Sequence, residues 1–256
     1  MPKRNPRAQP ADGRRAWLVG ATGGLGPALA HRLARDGYDL LLTARRRRRQ
    51  CTALARELLA AHPQRSVEVL CGDIGDPKFA AEAAATAAQR GALDAVVLAS
   101  GDLFLGRPSR TSAKALRAQL ESNLLAPWTA ALAALPALRR SRSGGRIVFF
   151  GMAGAGLPTA KRAVAAHAAS KLALLSMARS LAVEVARDGV AVWTVSPGVV
   201  RTARSTPESV EPFLEHVPGG RALAPEEVAD AVAWCLSPGG ATGTGGELPV
   251  ALGFGL

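Results

Sequence analysis

The chain has 256 residues, of which 48% are hydrophobic and only 4% aromatic, and it carries a formal net charge of +12. This length is sufficient for one α/β domain with a sizeable core of small aliphatic side chains. No stretch approaches about 18 uninterrupted apolar residues, so the sequence predicts no membrane span.

The positive charge is concentrated in two short segments. Residues 1–15 carry a net charge of +4 and the run Arg45 to Arg49 a further +5, together nine of the twelve excess charges. A basic tail and a basic helix start are usually solvated, so we predict no nucleic-acid partner. Residues 1–14, which lack an apolar stretch, are predicted to be a disordered basic leader rather than a secretory signal.

The cysteines are few and far apart. Cys51, Cys71 and Cys235 share no metal-ligand spacing, so we predict no metal site. A sparse, odd number of cysteines is typical of the reducing cytoplasm, where we expect the protein.

Short apolar runs alternate along the chain with segments of helical periodicity. The predicted strands are residues 16–19, 39–43, 67–70, 95–98, 146–150, 190–195 and 247–251. The predicted helices are residues 25–34, 46–61, 77–89, 112–135 (bent at Pro127), 164–186 and 225–236. The alternation predicts an α/β fold, a single Rossmann-type doubly wound parallel sheet of about seven strands with helices on both faces, over residues 15–256.

Residues 201–221 form the longest segment without a predicted element. Ligands of a doubly wound fold bind at the carboxyl ends of the strands, where this segment would lie as a lid. Its apolar residues Phe213, Leu214 and Val217 indicate an apolar ligand.

A glycine-rich turn separates the first predicted strand from the first helix. Gly20, Gly24 and Gly26 are spaced G-x-x-x-G-x-G. Glycines there let the backbone turn sharply and approach a pyrophosphate, which would meet the free N–H groups of the helix.

This spacing resembles the short-chain dehydrogenase/reductase family, and further segments from about residue 14 to 253 are similar to that family's motifs. Cys71-Gly72-Asp73-Ile74 is similar to its adenine-contacting segment, and Ser196-Pro197-Gly198-Val199-Val200-Arg201-Thr202 to the segment that holds the nicotinamide amide. The cofactor contacts that the resemblance implies are Gly20, Thr22, Gly23, Gly24, Leu25, Gly26, Asp73, Ile74, Ser100, Gly101, Lys171, Pro197, Gly198, Val200 and Thr202.

The end of the second predicted strand favours NADP(H) over NAD(H). NAD sites place an acidic residue there to bind the ribose hydroxyls, whereas this chain has Thr43-Ala44-Arg45-Arg46. Arg45 and Arg46 are suited to a 2′-phosphate through charge-assisted hydrogen bonds. The alternative is that these arginines are only the solvated start of a helix.

The resemblance also implies a catalytic group of Asn, Ser, Tyr and Lys, of which two members are retained as Asn123 and Lys171. His167 occupies the position of the Tyr, and the chain's only tyrosine, Tyr38, lies near the other end. The position of the Ser falls on Met152 or Gly154, depending on the direction of counting, and neither carries a hydroxyl.

An imidazole can replace a phenol as the acid/base. Beside Lys171 and a cationic nicotinamide ring, His167 should favour its neutral form, which is a base. The Asp102 carboxylate, after the fourth predicted strand, could orient His167 or a substrate amine, or be only a turn residue.

Three functions remain open from the sequence. The first is an NADP(H)-dependent oxidoreductase that acts on a small, apolar carbonyl or alcohol with His167 as a non-standard acid/base. The second is a non-redox enzyme of the same fold, such as a cyclase, dehydratase, isomerase or epimerase, with His167 as base. The third is a catalytically silent NADP(H)-binding protein in which His167 is only a helix residue.

The resemblance further implies a homodimer or homotetramer. The predicted helices 112–135 and 164–186 are rich in Ala and Leu on more than one face, which makes them the predicted interface.

Overall fold

The computed structural model describes residues 13–89, 92–157, 160–161 and 163–255. The predicted leader lies outside the described residues except at its last two positions. Arg14 begins the first strand, whereas the predicted domain boundary lies at residue 15.

The described residues form one parallel sheet of seven strands, which confirms the predicted fold class. Its strands are β1 (Arg14–Val19), β2 (Tyr38–Ala44), β3 (Val67–Cys71), β4 (Ala95–Leu98), β5 (Arg146–Phe150), β6 (Ala191–Pro197) and β7 (Glu247–Val250). Their order in the sheet is β3-β2-β1-β4-β5-β6-β7, and all neighbouring pairs are parallel.

Helices connect the strands and cover both faces of the sheet. They are α1 (Gly26–Arg35), α2 (Arg48–Ala61), α3 (Pro77–Ala88), α4 (Ala113–Leu120), α5 (Ala126–Leu138), α6 (Ala165–Val185), α7 (Pro207–Leu214) and α8 (Pro225–Leu236). No helix in the described part of the chain has both the length and the apolarity needed to cross a bilayer.

The alternation of side chains along each strand divides the core into two layers. Ala16 and Leu18 of β1 pack in the layer that α1, α2 and α8 complete, whereas Trp17 and Val19 pack in the layer of α3, α5 and α6. All four side chains are at most 2% exposed. The sheet is therefore buried on both faces, as doubly wound folds require.

The predicted helix 112–135 is wrong as a single helix. A π-helical turn, Glu121–Leu125, separates α4 from α5. Pro127 lacks an N–H group and cannot donate to the carbonyl of Asn123, so the regular α-helical register fails at this point. The turn places Asn123 completely inside the protein.

The lid, residues 201–221, contains a helix that the sequence analysis missed. Within it, α7 begins at Pro207, and its second residue is Glu208. Thr206-Pro207-Glu208 is a typical helix start, but the following segment is too short for its periodicity to be evident.

The crevice lies where the chain reverses its direction across the sheet. β1 pairs with β2 on one side and with β4 on the other. The loops at the carboxyl ends of β1 and β4 consequently diverge and leave room for a ligand between them.

Candidate active site and cofactor site

The turn after β1 is held against two neighbouring strands. The N–H groups of Gly20 and Ala21 both donate to the carbonyl of Thr43, at 3.0 and 3.1 Å. Gly20 has a φ of +80°, and a Cβ there would lie 2.5 Å from the carbonyl oxygen of Ala99. Only glycine lets the turn pass this close to the end of β4.

Gly24 and Gly26 have packing roles within the protein. A Cβ on Gly26 would overlap the carbonyl of Ala21, and one on Gly24 would lie 2.9 Å from Cγ2 of Thr202. Gly24 was expected to leave room for a pyrophosphate, but its missing side chain makes room for Thr202 of the lid.

An arginine-rich cavity of about 250 Å³ lies beside this turn. The predicted cofactor contacts that line it are Gly20, Thr22, Gly23, Arg45, Arg46, Asp73, Ile74, Ser100 and Gly101. Three polar residues that the sequence analysis missed also line it: Arg47, Ser122 and Arg204. One carboxylate oxygen of Asp73 accepts the N–H of Gly75 at 3.0 Å.

The donors of the arginine-rich cavity fit a phosphorylated dinucleotide. The hydroxyls of Ser100 and Ser122 are buried and have no hydrogen-bond partner among the described residues. The four guanidinium groups face only two lining carboxylates, those of Asp73 and Asp102. An anionic ligand that also offers hydroxyls or ring nitrogens would satisfy both sets of groups.

A second cavity, of about 340 Å³, adjoins the first and is mainly apolar. Its walls include Leu25, Leu103, Leu105, Phe150, Met152, Val164, Pro197, Gly198, Val199, Val200, Phe213 and Phe254. The two cavities share the segment 99–102. Of the predicted cofactor contacts, Gly24, Gly26 and Thr202 line neither cavity.

Three polar side chains of the apolar cavity converge as predicted: Asn123, His167 and Lys171. The amide nitrogen of Asn123 donates to the carbonyl of Asp102 at 3.0 Å and to Oε1 of Gln119 at 3.1 Å. Its Oδ1 accepts the N–H of Asp102 at 3.1 Å. These bonds hold the Asp102 backbone in a fixed position next to His167.

The hydrogen bonds of His167 select one tautomer. Nδ1 lies 3.2 Å from the carbonyl oxygen of Asp102 and 3.4 Å from Nδ2 of Asn123. A carbonyl can only accept, and the Asn123 amide hydrogens already have acceptors. Nδ1 therefore carries the proton and Nε2 is the basic nitrogen.

Lys171 is buried beneath this group. Its side chain is 5% exposed, and Nζ donates to the carbonyl of Phe150 at 2.8 Å. A Cβ on Gly101 would lie 3.3 Å from this nitrogen and would overlap Oδ1 of Asn123. Burial lowers the pKa of Lys171 to about 8.

The surroundings of His167 stabilise its uncharged form. Burial and then the positive charge of Lys171 lower the pKa of His167 to about 4, against the opposing effect of the Asp102 carbonyl. The imidazole is consequently neutral at pH 7 and available as a general base.

Comparison with known proteins assigns the chain to a family. The family model described as enoyl-(acyl carrier protein) reductase matches residues 20–255. The chain belongs to the short-chain dehydrogenase/reductase family. It is 28% identical over 225 residues to the uncharacterized oxidoreductase YmfI of Bacillus subtilis (strain 168), which covers 87% of this chain and 90% of that protein.

Two solved structures show the same fold with a bound cofactor. A blue fluorescent protein from a metagenomic library, solved in complex with NADPH, has a TM-score of 0.87 and 29% identity, with 97% of this chain and 100% of that chain covered. A short-chain dehydrogenase from Burkholderia cenocepacia J2315, solved in complex with NADP, has a TM-score of 0.86 and 27% identity, with 96% and 99% covered.

For this short-chain dehydrogenase/reductase, the structure distinguishes the two candidates for the missing serine position. Met152 lines the apolar cavity, whereas Gly154, with a φ of +69°, packs against the backbone of Gly255. Among the described lining residues of that cavity, Ser100 is the one with a hydroxyl.

The carboxylate of Asp102 does not orient the histidine of this short-chain dehydrogenase/reductase. Its Oδ2 lies 3.9 Å from Nη2 of Arg45, and the Asp102 backbone carbonyl contacts His167 instead. The contact to His167 therefore comes from the Asp102 backbone, and the alternative that the carboxylate binds a substrate amine stays a prediction.

Several lining residues were beyond sequence reasoning. Phe254 lies in the C-terminal segment, far along the chain from every motif, and Arg204 lies in the lid. Only the tertiary fold brings these side chains to the cavities. Ser122 had a usable signal, because it directly precedes Asn123.

Proposed function

We propose that this protein is an NADP(H)-dependent oxidoreductase that acts on a small, apolar carbonyl or alcohol, with His167 as acid/base. The observation that carries the proposal is the neutral imidazole of His167 in the wall of the apolar cavity, with Lys171 and Asn123 lining the same cavity.

The proposed cofactor is NADP(H). The end of β2 is followed by three arginines, Arg45, Arg46 and Arg47, where an NAD(H) site would need an acidic residue. All three arginines line the arginine-rich cavity. The two compared structures contain NADPH and NADP. When bound, the cofactor would supply or accept the hydride.

The proposed role of His167 is to exchange a proton with the substrate oxygen through Nε2. Because the imidazole is neutral at pH 7, this favours the removal of a proton from an alcohol over the protonation of a carbonyl. Burial and then the positive charge of Lys171 keep the imidazole uncharged, and Asn123 positions the Asp102 carbonyl that holds Nδ1.

The proposed substrate is small and largely apolar. The lining of the second cavity supports this, because Leu103, Leu105, Phe213 and Phe254 offer no hydrogen-bonding side-chain groups. Ser100 is positioned to bond a substrate or cofactor oxygen, because its hydroxyl is buried without a partner among the described residues and borders both cavities.

Oxidation of secondary alcohols with NADP⁺ tests this proposal. The wild type should form NADPH and ketone in equal amounts, and His167→Ala should lower turnover by about 100-fold or more while NADPH affinity stays nearly unchanged. His216→Ala, which changes an exposed histidine that lines neither cavity, is the matched control. An unimpaired His167→Ala variant would refute the role of His167.

A non-redox reaction on the same scaffold is the second candidate, because a neutral base suits proton abstraction from carbon. It would give product with no change in NADPH absorbance. NADPH binding without turnover of any substrate class would indicate the silent alternative.

We also propose a cytoplasmic location. Cys51, Cys71 and Cys235 are all free thiols, and burial raises the pKa of Cys51 to about 11 and that of Cys235 to about 12. Unreactive thiols like those of Cys51 and Cys235 are typical of proteins in a reducing compartment.

A further inference from the structure

The lid contributes to both cavities. Arg204 lines the arginine-rich cavity, and Phe213, on α7, lines the apolar cavity. The same short segment therefore borders the proposed cofactor site at one end and the proposed substrate site at the other.

The guanidinium of Arg204 lies over the glycine-rich turn. Its Nη2 donates to the carbonyl of Thr22. The contact bridges the lid and the loop after β1, and Arg204 lines the same cavity as the three arginines that follow β2, Arg45, Arg46 and Arg47.

A compact turn holds Arg204 at this position. The N–H of Thr202 donates to Oγ of Ser205 at 3.0 Å, and the N–H of Arg204 donates to Oγ1 of Thr202 at 3.2 Å. The Thr202 side chain also packs where Gly24 lacks one. The base of the lid is thereby fixed to the phosphate-binding turn.

The charge around Arg204 is unbalanced. Within the described ranges, neither Arg47 nor Arg204 has a carboxylate within ion-pair distance, whereas Arg45 has Asp102 at 3.9 Å. Partial burial and then the positive charge of Arg47 lower the pKa of Arg204. Two cations that repel each other across a cavity are stabilised by an anion between them.

We propose that Arg204 determines cofactor specificity by binding the 2′-phosphate of NADP(H) from the lid, together with Arg45, Arg46 and Arg47. Because the lid also carries Phe213, occupation of this phosphate site closes the apolar cavity. NADPH, but not NADH, then prepares the substrate site. The inference depends on the proposed function, since it requires NADP(H) as the cofactor.

Equilibrium binding of NADPH and NADH to the wild type and to Arg204→Gln tests the assignment. The substitution should weaken NADPH binding about tenfold or more, as for the loss of a charge-assisted hydrogen bond, and leave NADH binding within about twofold. Arg201→Gln is the matched control, because Arg201 is an exposed lid arginine that lines neither cavity.

The coupling to the lid has a separate readout. Chymotrypsin cleavage after Phe213 should slow when NADPH, but not NADH, is added to the wild type and to Arg201→Gln. Arg204→Gln should lose this protection even at saturating NADPH. Equal cleavage with and without saturating NADPH in the wild type would overturn the coupling.

The outcomes separate this inference from the proposed function. If the wild type binds NADPH and Arg204→Gln binds it equally well, the inference is overturned and the proposed function stands. Equal weakening of NADPH binding and NADH binding would also overturn the inference, because Arg204 would then bind a group that both cofactors contain. If the wild type binds no NADPH, both are overturned.

Discussion

The tautomer of His167 fixes which of its ring nitrogens can act as a base. Because its Nδ1–H group donates to the Asp102 carbonyl, the imidazole has its free lone pair on Nε2. At pH 7 the group is therefore in the form that can accept a proton, but burial and then Lys171 disfavour the charged form and make it a weak base.

This gives opposite pH dependences for the two directions of the proposed reaction. The pKa of His167 is lowered to about 4, so the base form predominates above that pH. Alcohol oxidation should rise through pH 4 and then level off, whereas carbonyl reduction, which needs the imidazolium, should fall about tenfold per pH unit above it. Rates measured from pH 4 to 7 in both directions check this. An inflection of either pH–rate profile near the usual histidine pKa of about 6.5 would contradict it.

The arginines after β2 give a second prediction at the scale of single residues. Arg45→Ala and Arg46→Ala should each weaken NADPH binding by about tenfold and leave NADH binding nearly unchanged, because each removes a charged donor to the 2′-phosphate. Arg48→Ala, in the same arginine run but outside both cavities, should change neither. Equal affinity of the wild type for NADPH and NADH would show that the run is only a solvated helix start.

At the scale of elements, the contact between the glycine-rich turn and the lid is testable by substitution. Gly24→Val should place a side chain against Thr202 and destabilise the fold by about 1–3 kcal/mol, as overpacking does, with weaker NADPH binding. Thermal unfolding and NADPH titration measure the two effects.

A double variant tests the lid contact itself. Thr202→Ala should restore much of the stability lost in Gly24→Val, because it removes the Cγ2 and Oγ1 atoms that lie nearest to the added side chain. No recovery of stability in the double variant would show that the valine does not destabilise the fold through Thr202.

Helices with a clear apolar period and strands with a continuous apolar run could be predicted from the sequence. The bounds of β4, β5 and α8 agree with the prediction, because each is limited by turn residues and has an unbroken apolar pattern. The π-helical turn could not be predicted, since Pro127 indicates a bend but not which register the backbone takes. The helix α7 was missed because eight residues are too few to show a period.

Some residues of the candidate site could likewise be predicted from the sequence, and others could not. Asn123, His167 and Lys171 follow from local motifs and do come together. The histidine's partner, by contrast, is a backbone carbonyl, which no side-chain pattern reveals. Phe254 and Arg204 reach the cavities only through the packing of distant segments.

At the scale of the whole molecule, the exposed apolar side chains support the proposed self-association. Of the eleven large apolar side chains that are exposed among the described residues, six lie on α4, the π-helical turn, α5 and α6: Leu116, Leu125, Leu132, Leu172, Met177 and Val183. Val183 is 82% exposed, and its burial in an interface would remove apolar surface from water, which is favourable.

Light scattering should give a dimer or tetramer of the 26.4 kDa chain. Leu132→Asp combined with Val183→Asp should reduce this to a single chain, because the introduced charges would be buried without partners. Leu59→Asp, on the exposed side of α2, is the control and should leave the assembly intact. A wild type that scatters as one chain would refute the proposal.

The central position of β1 also has a consequence for biosynthesis. β1 pairs with β2 on one edge, but its other edge is completed only by β4, whose register aligns Ala16 with Ala95. A ribosome-bound chain that has not reached Ala95 therefore exposes an open strand edge, and Trp17 lacks the helix α5 that later covers its layer. Unpaired edges of this kind promote aggregation of partly synthesised chains. We therefore expect the nascent chain to be prone to aggregation from the translation of β1 until β4 is available to pair with it.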